Sequence, residues 1–383
     1  MKIAWVIEHM NAARGGRERS TAQVAAALAD RGHQVTILCR QGRLDDPRVQ
    51  VKALGGRGLG RSGRLKRFVA DVQREIQAGG YDVVHATLPV PGAHVYQVRG
   101  GTVPAQRAAA LRRRSPLLRP LAKALDALNR HRRHMEQLER QVAGDPKTLI
   151  LPISRMVARE VQEHYGRSDG VIVVPNGVDA PPADLQERQD WRQQWRYRLG
   201  VVREDTVFLV VATNFELKAV DYTIVAFAQW YHSKHRHTQA RLVIVGRDLA
   251  EGYQRFAGMR EVGSAVHIVG PTENVFQWIA AADACILLSW YDPCSRVLLE
   301  AARWGVPSVT TAYNGAAELL GEGCIVVDSP RHRRQIVEAL GELADPQRRA
   351  ARSLACLRAG PNLSVQRHVD ELLAAYAKAP ARP

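Results

Sequence analysis

Apolar residues along this chain fall into short runs, separated by stretches with helical spacing. In the first half, runs at 2–8, 34–39, 81–85, 149–152 and 171–174 read as strands. Residues 18–31 (with Gly32 as the stop), 65–77 and 155–164 read as helices. The second half repeats the scheme, with strands near Phe208, Leu242, Val266, Ala284, Pro307 and Cys324 and helices between them. Continuous apolar strands alternating with helices predict parallel sheets covered on both faces. The fold class is therefore α/β, with two doubly wound halves. A chain of 383 residues is too long for one ordinary core. The division is expected near 176–182, where Pro175, Asn176-Gly177 and Pro181-Pro182 punctuate the chain. A last helix is expected at about 363–377, after Ala359-Gly360-Pro361-Asn362.

One segment breaks the alternation. Residues 105–134 carry Arg107, Arg112, Arg113, Arg114, Arg119, Lys123, Arg130, Arg132 and Arg133, with Asp126 as the one acid. Leu117, Leu118, Leu121, Ala122, Leu125 and Leu128 lie at helical spacing among them, interrupted by Pro116 and Pro120. A basic amphipathic segment of this kind predicts contact with an anionic lipid surface. The competing expectation is a solvated helix whose leucines pack on the domain.

Charge sharpens the picture. The formal net charge is +16. Residues 1–178 hold 30 lysines and arginines against 15 acids, and the rest of the chain holds 24 against 23. A basic half beside a near-neutral half points to an anionic partner for one domain only. Phosphorylated glycolipid, an anionic bilayer and nucleic acid all qualify, but no recognition-helix or RNA-binding motif supports the last. No run approaches the ~20 apolar residues of a membrane span, and the start reads as a buried strand rather than a signal peptide. The five cysteines, Cys39, Cys285, Cys294, Cys324 and Cys356, show neither metal nor disulfide spacing, which fits a reducing cytoplasm.

Candidate chemistry centres on Tyr291-Asp292-Pro293-Cys294-Ser295-Arg296-Val297-Leu298-Leu299-Glu300-Ala301. Asp292 follows the apolar run 284–288, and Glu300 lies in a helix from near Ser295 to Trp304-Gly305. A strand, a short loop and a helix N-terminus form an anion site, because N–H groups and the helix dipole point at the loop. A carboxylate one turn or more into that helix can reach a sugar hydroxyl. The plain alternative is a solvated Asp and a surface Glu. Upstream, Phe208-Leu209-Val210-Val211-Ala212 feeds Asn214-Phe215-Glu216-Leu217-Lys218-Ala219-Val220-Asp221. Lys218 precedes a helix start, an unfavourable place for a cation, which favours a functional role. Asn214 is also a common turn residue.

This ordered set resembles the retaining family 4 glycosyltransferases. Lys218 matches the lysine of their donor loop, and Asp292 and Glu300 match their acidic pair. Pro175-Asn176-Gly177-Val178-Asp179, Val243-Ile244-Val245-Gly246, Ala281-Ala282-Asp283-Ala284 and Gly15-Gly16-Arg17-Glu18-Arg19 match in order. Within the family the lipopolysaccharide core glucosyltransferase I type is similar in length, in its Gly-Gly-x-x-Arg start and in a Phe-x-x-Lys donor loop. The resemblance implies a GT-B architecture, with two Rossmann-like domains facing a cleft. An acceptor-binding domain would span 1–178 plus 363–383, and a donor-binding domain 179–362. It implies Lys218 and Asp292 as catalytic residues, and Gly16, Asn214, Lys218, Asp292, Ser295, Arg296, Val297, Leu298 and Glu300 as donor contacts. Asp292 would meet the donor sugar and Glu300 the ribose. Arg17, Arg19, His94 and Arg99 are the acceptor-side candidates. The chain departs from the pattern in three places: Asp292 replaces a glutamate, Ala219 stands where a glycine is usual, and no arginine adjoins Lys218. Arg296 or Arg247 are the candidates to compensate.

The expected function is a retaining, metal-independent hexosyltransferase without a cofactor. It would move sugar from a nucleoside diphosphate sugar, of UDP-glucose type, to an anionic glycolipid such as lipopolysaccharide core. It would sit in the cytoplasm, peripheral on the inner face of the cytoplasmic membrane. The rival readings are a nucleotide-sugar 2-epimerase of the same fold and a non-enzymatic nucleic-acid-binding or scaffold protein.

Overall fold

The computed structural model describes residues 1–11, 15–56, 58–179, 183–233, 240–248, 250–272 and 274–380. Pro181-Pro182, part of the expected division, lies outside these residues. The chain forms two units, Met1–Gly177 with Val365–Pro383, and Val178–Ser364.

The first unit is built on β1 (Lys2–Met10), β2 (Gln34–Gly42), β3 (Val49–Ala53), β4 (Val83–Ala86), β5 (Val95–Val98) and β6 (Leu149–Pro152). They form one sheet in the order β3-β2-β1-β4-β5-β6, and every pair is parallel. β4, β5 and β6 are buried along their whole length, as a sheet covered on both faces requires. Ile3, Trp5 and Ile37 face one core, and Ala4, Val6 and Leu38 the other. This is the period-two alternation of a strand.

Local chemistry sets the helix ends. The helix Gly16–Asp30 stops where Gly32 takes φ +79°, and His33 N–H closes on the Leu28 carbonyl at 3.2 Å. Thr102 caps the helix Val103–Arg113 with Pro104 in its first turn, and Ser154 caps Arg155–Tyr165.

Two sequence expectations change here. Residues 171–174 are not a sheet strand. Val171 makes one isolated bridge to Ile150, and the segment runs beside β6 through Ile172 and Val174 N–H bonds. The stretches 49–53 and 95–98, not singled out by the pattern, are β3 and β5.

The last helix, Val365–Tyr376, packs in the first unit. Val365, Val369 and Leu372 enter its core. Arg367 donates to the carbonyls of Pro175 and Asn176 at 2.9 and 2.7 Å. His85 stacks on Trp5 at 3.9 Å between ring centroids and meets the Tyr376 hydroxyl at 2.9 Å. Burial pushes its pKa down to about 3, so it is a neutral core residue.

The second unit repeats the topology with β7 (Thr206–Ala212), β8 (Ala240–Gly246), β9 (Val266–Gly270), β10 (Ala284–Leu287), β11 (Ser308–Thr311) and β12 (Cys324–Val327), in the order β12-β11-β10-β7-β8-β9. Gly246 has no alternative: a Cβ there would lie 1.7 Å from the Ala212 carbonyl oxygen. The helix Leu185–Arg198, capped by Asp184, closes the unit. Its Arg192 and Arg196 both pair with buried Asp283, at 2.6 and 2.8 Å.

Candidate active site in each unit

In an open doubly wound sheet the ligand crevice lies beyond the strand C-termini, where the strand order reverses direction. In the second unit that point falls between β7 and β10. The loop after β7 carries Lys218, and the loop after β10 carries Asp292. Lys218 Nζ lies 2.5 Å from Asp292 Oδ2, and the two side chains are only 16% and 14% exposed. Residues 74 positions apart therefore meet at the crevice because the topology brings their loops together.

Each loop is held by its own bonds. Asn214 Oδ1 accepts from Leu217 N–H at 2.8 Å, and Lys218 N–H closes on the Asn214 carbonyl. Asp248 Oδ2 accepts from Phe215 N–H at 2.8 Å. Buried Ala219 takes φ +49°, which costs a residue with a Cβ about 1–2 kcal/mol. That is the physical reason a glycine suits this position. Asn214 thus shapes the turn through its carbonyl oxygen.

Asp292 leads into the helix Arg296–Arg303, with Ser295 at its N-cap. The N–H groups of Arg296, Val297 and Leu298 are ones that the helix's own carbonyls cannot reach. Glu300 is buried, and Arg296 Nη2 lies 3.4 Å from its Oε1. Arg296 therefore stands beside the acidic residue one turn on. Arg247 is exposed at the end of β8.

The first unit has its reversal between β1 and β4. A pocket of about 200 Å³ opens there, walled by Glu8, His9, Arg17, Arg99, His131 and Glu139 among others. Gly16 is exposed at the start of its helix. Gly15 is extended, and a Cβ there would make only an ordinary contact, so the fold itself does not require glycine at 15. Arg99 is buried and donates to Thr21 Oγ1 at 2.9 Å. Arg19 is exposed and is not among the walls.

His94 is not among the walls of this pocket. The chain leaves β4 at the pocket edge and must recross the sheet before β5 can run parallel. His94, one residue before β5, therefore stands at the opposite edge, where its Nδ1 accepts from Val84 N–H at 3.1 Å. That bond ties it to the fold.

Sequence reasoning missed Glu139. This buried carboxylate accepts from the Tyr96 and Tyr165 hydroxyls, at 2.7 and 2.5 Å, and from Val103 N–H at 2.7 Å. Burial pushes its pKa up, against the pull of these donors. It lies in the helix Arg130–Gly144, and nothing in the local pattern marks it.

The basic segment forms the helices Val103–Arg113, Arg119–Ala127 and Arg130–Gly144. The middle one has no buried residue, and Leu117, Leu118, Leu121, Leu125 and Leu128 are all exposed. The expectation that these leucines pack on the domain does not hold. Two of the basic residues are engaged in ion pairs within the segment. Asp126 pairs with both Arg107 and Arg132, and Arg107 reaches Glu136 at 2.5 Å. They tie the three helices together.

Two family models divide the chain. Glycosyltransferase Family 4 matches residues 14–180, and Glycosyl transferases group 1 matches residues 205–345. The chain belongs to the glycosyltransferases. Among relatives, it is similar to the lipopolysaccharide glucosyltransferase WaaG of Escherichia coli, at 26% identity over 85% of each chain. It is also similar to a D-inositol 3-phosphate glycosyltransferase of Nocardiopsis dassonvillei, at 26% identity over 94% of this chain and 89% of that one. The crystal structure of WaaG, a glycosyltransferase involved in lipopolysaccharide biosynthesis, superposes with a TM-score of 0.79 at 22% identity, covering 97% of this chain and 98% of that one. Anabaena HepE, solved with UDP-glucose, gives 0.72 at 19% identity, covering 99% and 100%. The fold of this glycosyltransferase is thus GT-B. Among its described residues no helix is long and apolar enough to cross a membrane.

Proposed function

We propose that this glycosyltransferase transfers a hexose with retention from a nucleoside diphosphate sugar, of UDP-glucose type, to an anionic glycolipid. The observation that carries the reading is the Lys218–Asp292 pair at the β7/β10 reversal, beside the N-terminus of the helix Arg296–Arg303. Departure of a nucleoside diphosphate builds negative charge on the β-phosphate, and held donors stabilise it. Lys218 Nζ and the N–H groups of Arg296, Val297 and Leu298 are those donors, so the leaving group finds its positive charge in the protein rather than in a metal ion. Asp292 accepts from hydroxyls of the donor sugar, and Glu300 from the ribose. In a retaining transfer of this kind the acceptor hydroxyl gives its proton to the departing phosphate on the same face, so neither carboxylate acts as the base.

The acceptor reading rests on the first unit. Arg17 and Arg99 wall the β1/β4 pocket and suit a phosphorylated sugar. The helices Val103–Arg113 and Arg130–Gly144 supply part of that wall through Gln106, His131 and Glu139. The exposed leucines lie on the helix between them and at its two ends, so a lipid-borne acceptor at a bilayer surface fits this unit. Two similarities support the donor and acceptor classes: WaaG is a lipopolysaccharide glucosyltransferase, and HepE binds UDP-glucose.

The test is a hydrolysis screen over UDP-, GDP- and ADP-sugars, with Lys218→Ala as control. Release of one nucleoside diphosphate by the wild type alone supports the reading. Interconversion of the sugar without lasting nucleotide release would establish an epimerase instead.

A further inference from the structure

The loop that carries Asp292 is clamped from outside. Asp292 N–H donates to the Tyr313 carbonyl at 2.8 Å, and its own carbonyl accepts from Gly315 N–H at 3.0 Å. Between those two bonds sits Asn314, 3% exposed. Its Oδ1 accepts from Ser295 N–H at 3.3 Å and from Ala316 N–H at 3.1 Å. Its Nδ2 donates to Thr310 Oγ1 at 3.0 Å, and that hydroxyl donates to the Leu287 carbonyl at 2.6 Å. Thr311 Oγ1 donates to the Ser289 carbonyl at 2.6 Å. One chain of hydrogen bonds thus runs from the end of β10, through the end of β11, to the N-cap of the helix Arg296–Arg303.

We propose that Asn314 is a positioning residue of the donor site. It fixes the Asp292 carboxylate and the helix N-terminus in register with each other. The proposal rests on the donor reading given above. The four leading N–H groups of a helix need partners from outside it. Asn314 takes the first, at Ser295, and so sets the height of the following three over the place of the diphosphate. Its amide is suited to this in two ways. It supplies acceptor and donor at once, as the two N–H groups and Thr310 Oγ1 require. It is also neutral, where a carboxylate would place a fixed anion beside an anionic ligand.

Two variants and two readouts test this. Asn314→Ala leaves the Ser295 and Ala316 N–H groups without their acceptor. A misplacement of about 1 Å costs on the order of 10²-fold, so kcat should fall roughly 10²-fold at saturating donor. Amide hydrogen exchange of the 292–298 peptide should quicken while peptides of the first unit stay unchanged. Asn314→Asp keeps both acceptor bonds but gives up the donor to Thr310 Oγ1 and adds charge. Its 292–298 exchange should quicken less than in Asn314→Ala, while UDP binding by calorimetry weakens about tenfold, and more at low salt. Loss of melting temperature with normal kcat and KM in the folded fraction would make Asn314 a purely structural residue and overturn the proposal. Unchanged 292–298 exchange in Asn314→Ala would overturn it as well. Failure of wild-type protein to bind UDP, GDP or ADP would instead overturn the donor reading, and the donor role of Asn314 with it. The exchange result would still report whether the side chain holds the loop.

Discussion

At the β1/β4 reversal the first unit gathers Glu8, His9, Arg17 and Arg99, and completes the wall with residues of the basic helical segment. At the β7/β10 reversal the second unit places one lysine against one aspartate, with a helix N-terminus beside them. The strand order is the same in both. What differs is the material around it. The first unit carries nearly all of the excess charge and an added helical segment with exposed leucines. The second is near neutral and spends its buried charges on internal ties, as at Asp283. The fold decides where a site lies, and the side chains on its loops decide what the site can hold.

The sharpest way to break this contrast is to remove an internal tie. Asp283→Ala leaves Arg196, itself buried, without its carboxylate, and should destabilise the second unit by about 3–5 kcal/mol. Asp370→Ala in the first unit removes only an exposed partner of Arg31 and should cost about 0–1 kcal/mol. Urea unfolding of both variants checks the pair, and equal losses would erase the contrast. The same tie predicts a pH dependence. Burial alone would raise the pKa of Asp283, but Arg192, Arg196 and the Val207 N–H hold it below its usual value. Its contribution is therefore present above the unfolded value of about 3.9 and lost as pH falls through the lower folded value.

The surface charge of the first unit comes next. Replacing Arg112, Arg113 and Arg114 with serine should weaken binding to anionic vesicles by about 1 kcal/mol per residue, with little change on a soluble acceptor fragment. Binding by the wild type should fall steeply with salt. Flotation with neutral and anionic liposomes decides it: equal recovery on both, or none on either, removes the membrane role.

Lys218→Ala should lower transfer by about 10²-fold through loss of a charge partner for the leaving diphosphate, with an unchanged circular dichroism spectrum. Near-normal turnover would place the chemistry elsewhere. The smallest effect separates two carboxylates of one unit. Glu300→Gln should weaken UDP binding about tenfold, roughly one hydrogen bond to a charged group. Asp292→Asn should keep UDP bound while losing the sugar. Calorimetry showing wild-type UDP binding in both would remove Glu300 from the ribose.

The long apolar strands were legible in the sequence because burial on both faces leaves them unbroken, as in β7 and β8. Short strands were not. Val95-Tyr96-Gln97-Val98 contains a polar residue and follows a Pro/Gly-rich stretch, so β5 was not singled out. The spacing of Asp292 and Glu300 was readable because both lie on one local strand–loop–helix unit. Asn314 sat in an Asn-Gly turn signal, which announces a turn but not the distant N–H groups that the side chain serves.

The sequence by itself determined the α/β class, the two-part organisation, the charge asymmetry and the local frame of the loops that carry Lys218 and Asp292, because periodicity, composition and short-range spacing are properties of neighbours along the chain. Only the tertiary structure decided that Lys218 meets Asp292, that Glu139 joins Tyr96, Tyr165 and Val103, that Arg107 and Arg132 both pair with Asp126, and that Asn314 spans β11 and the helix Arg296–Arg303. Such contacts depend on which strands become neighbours in a sheet. Strand order is set by the packing of the whole unit, and no local pattern records it.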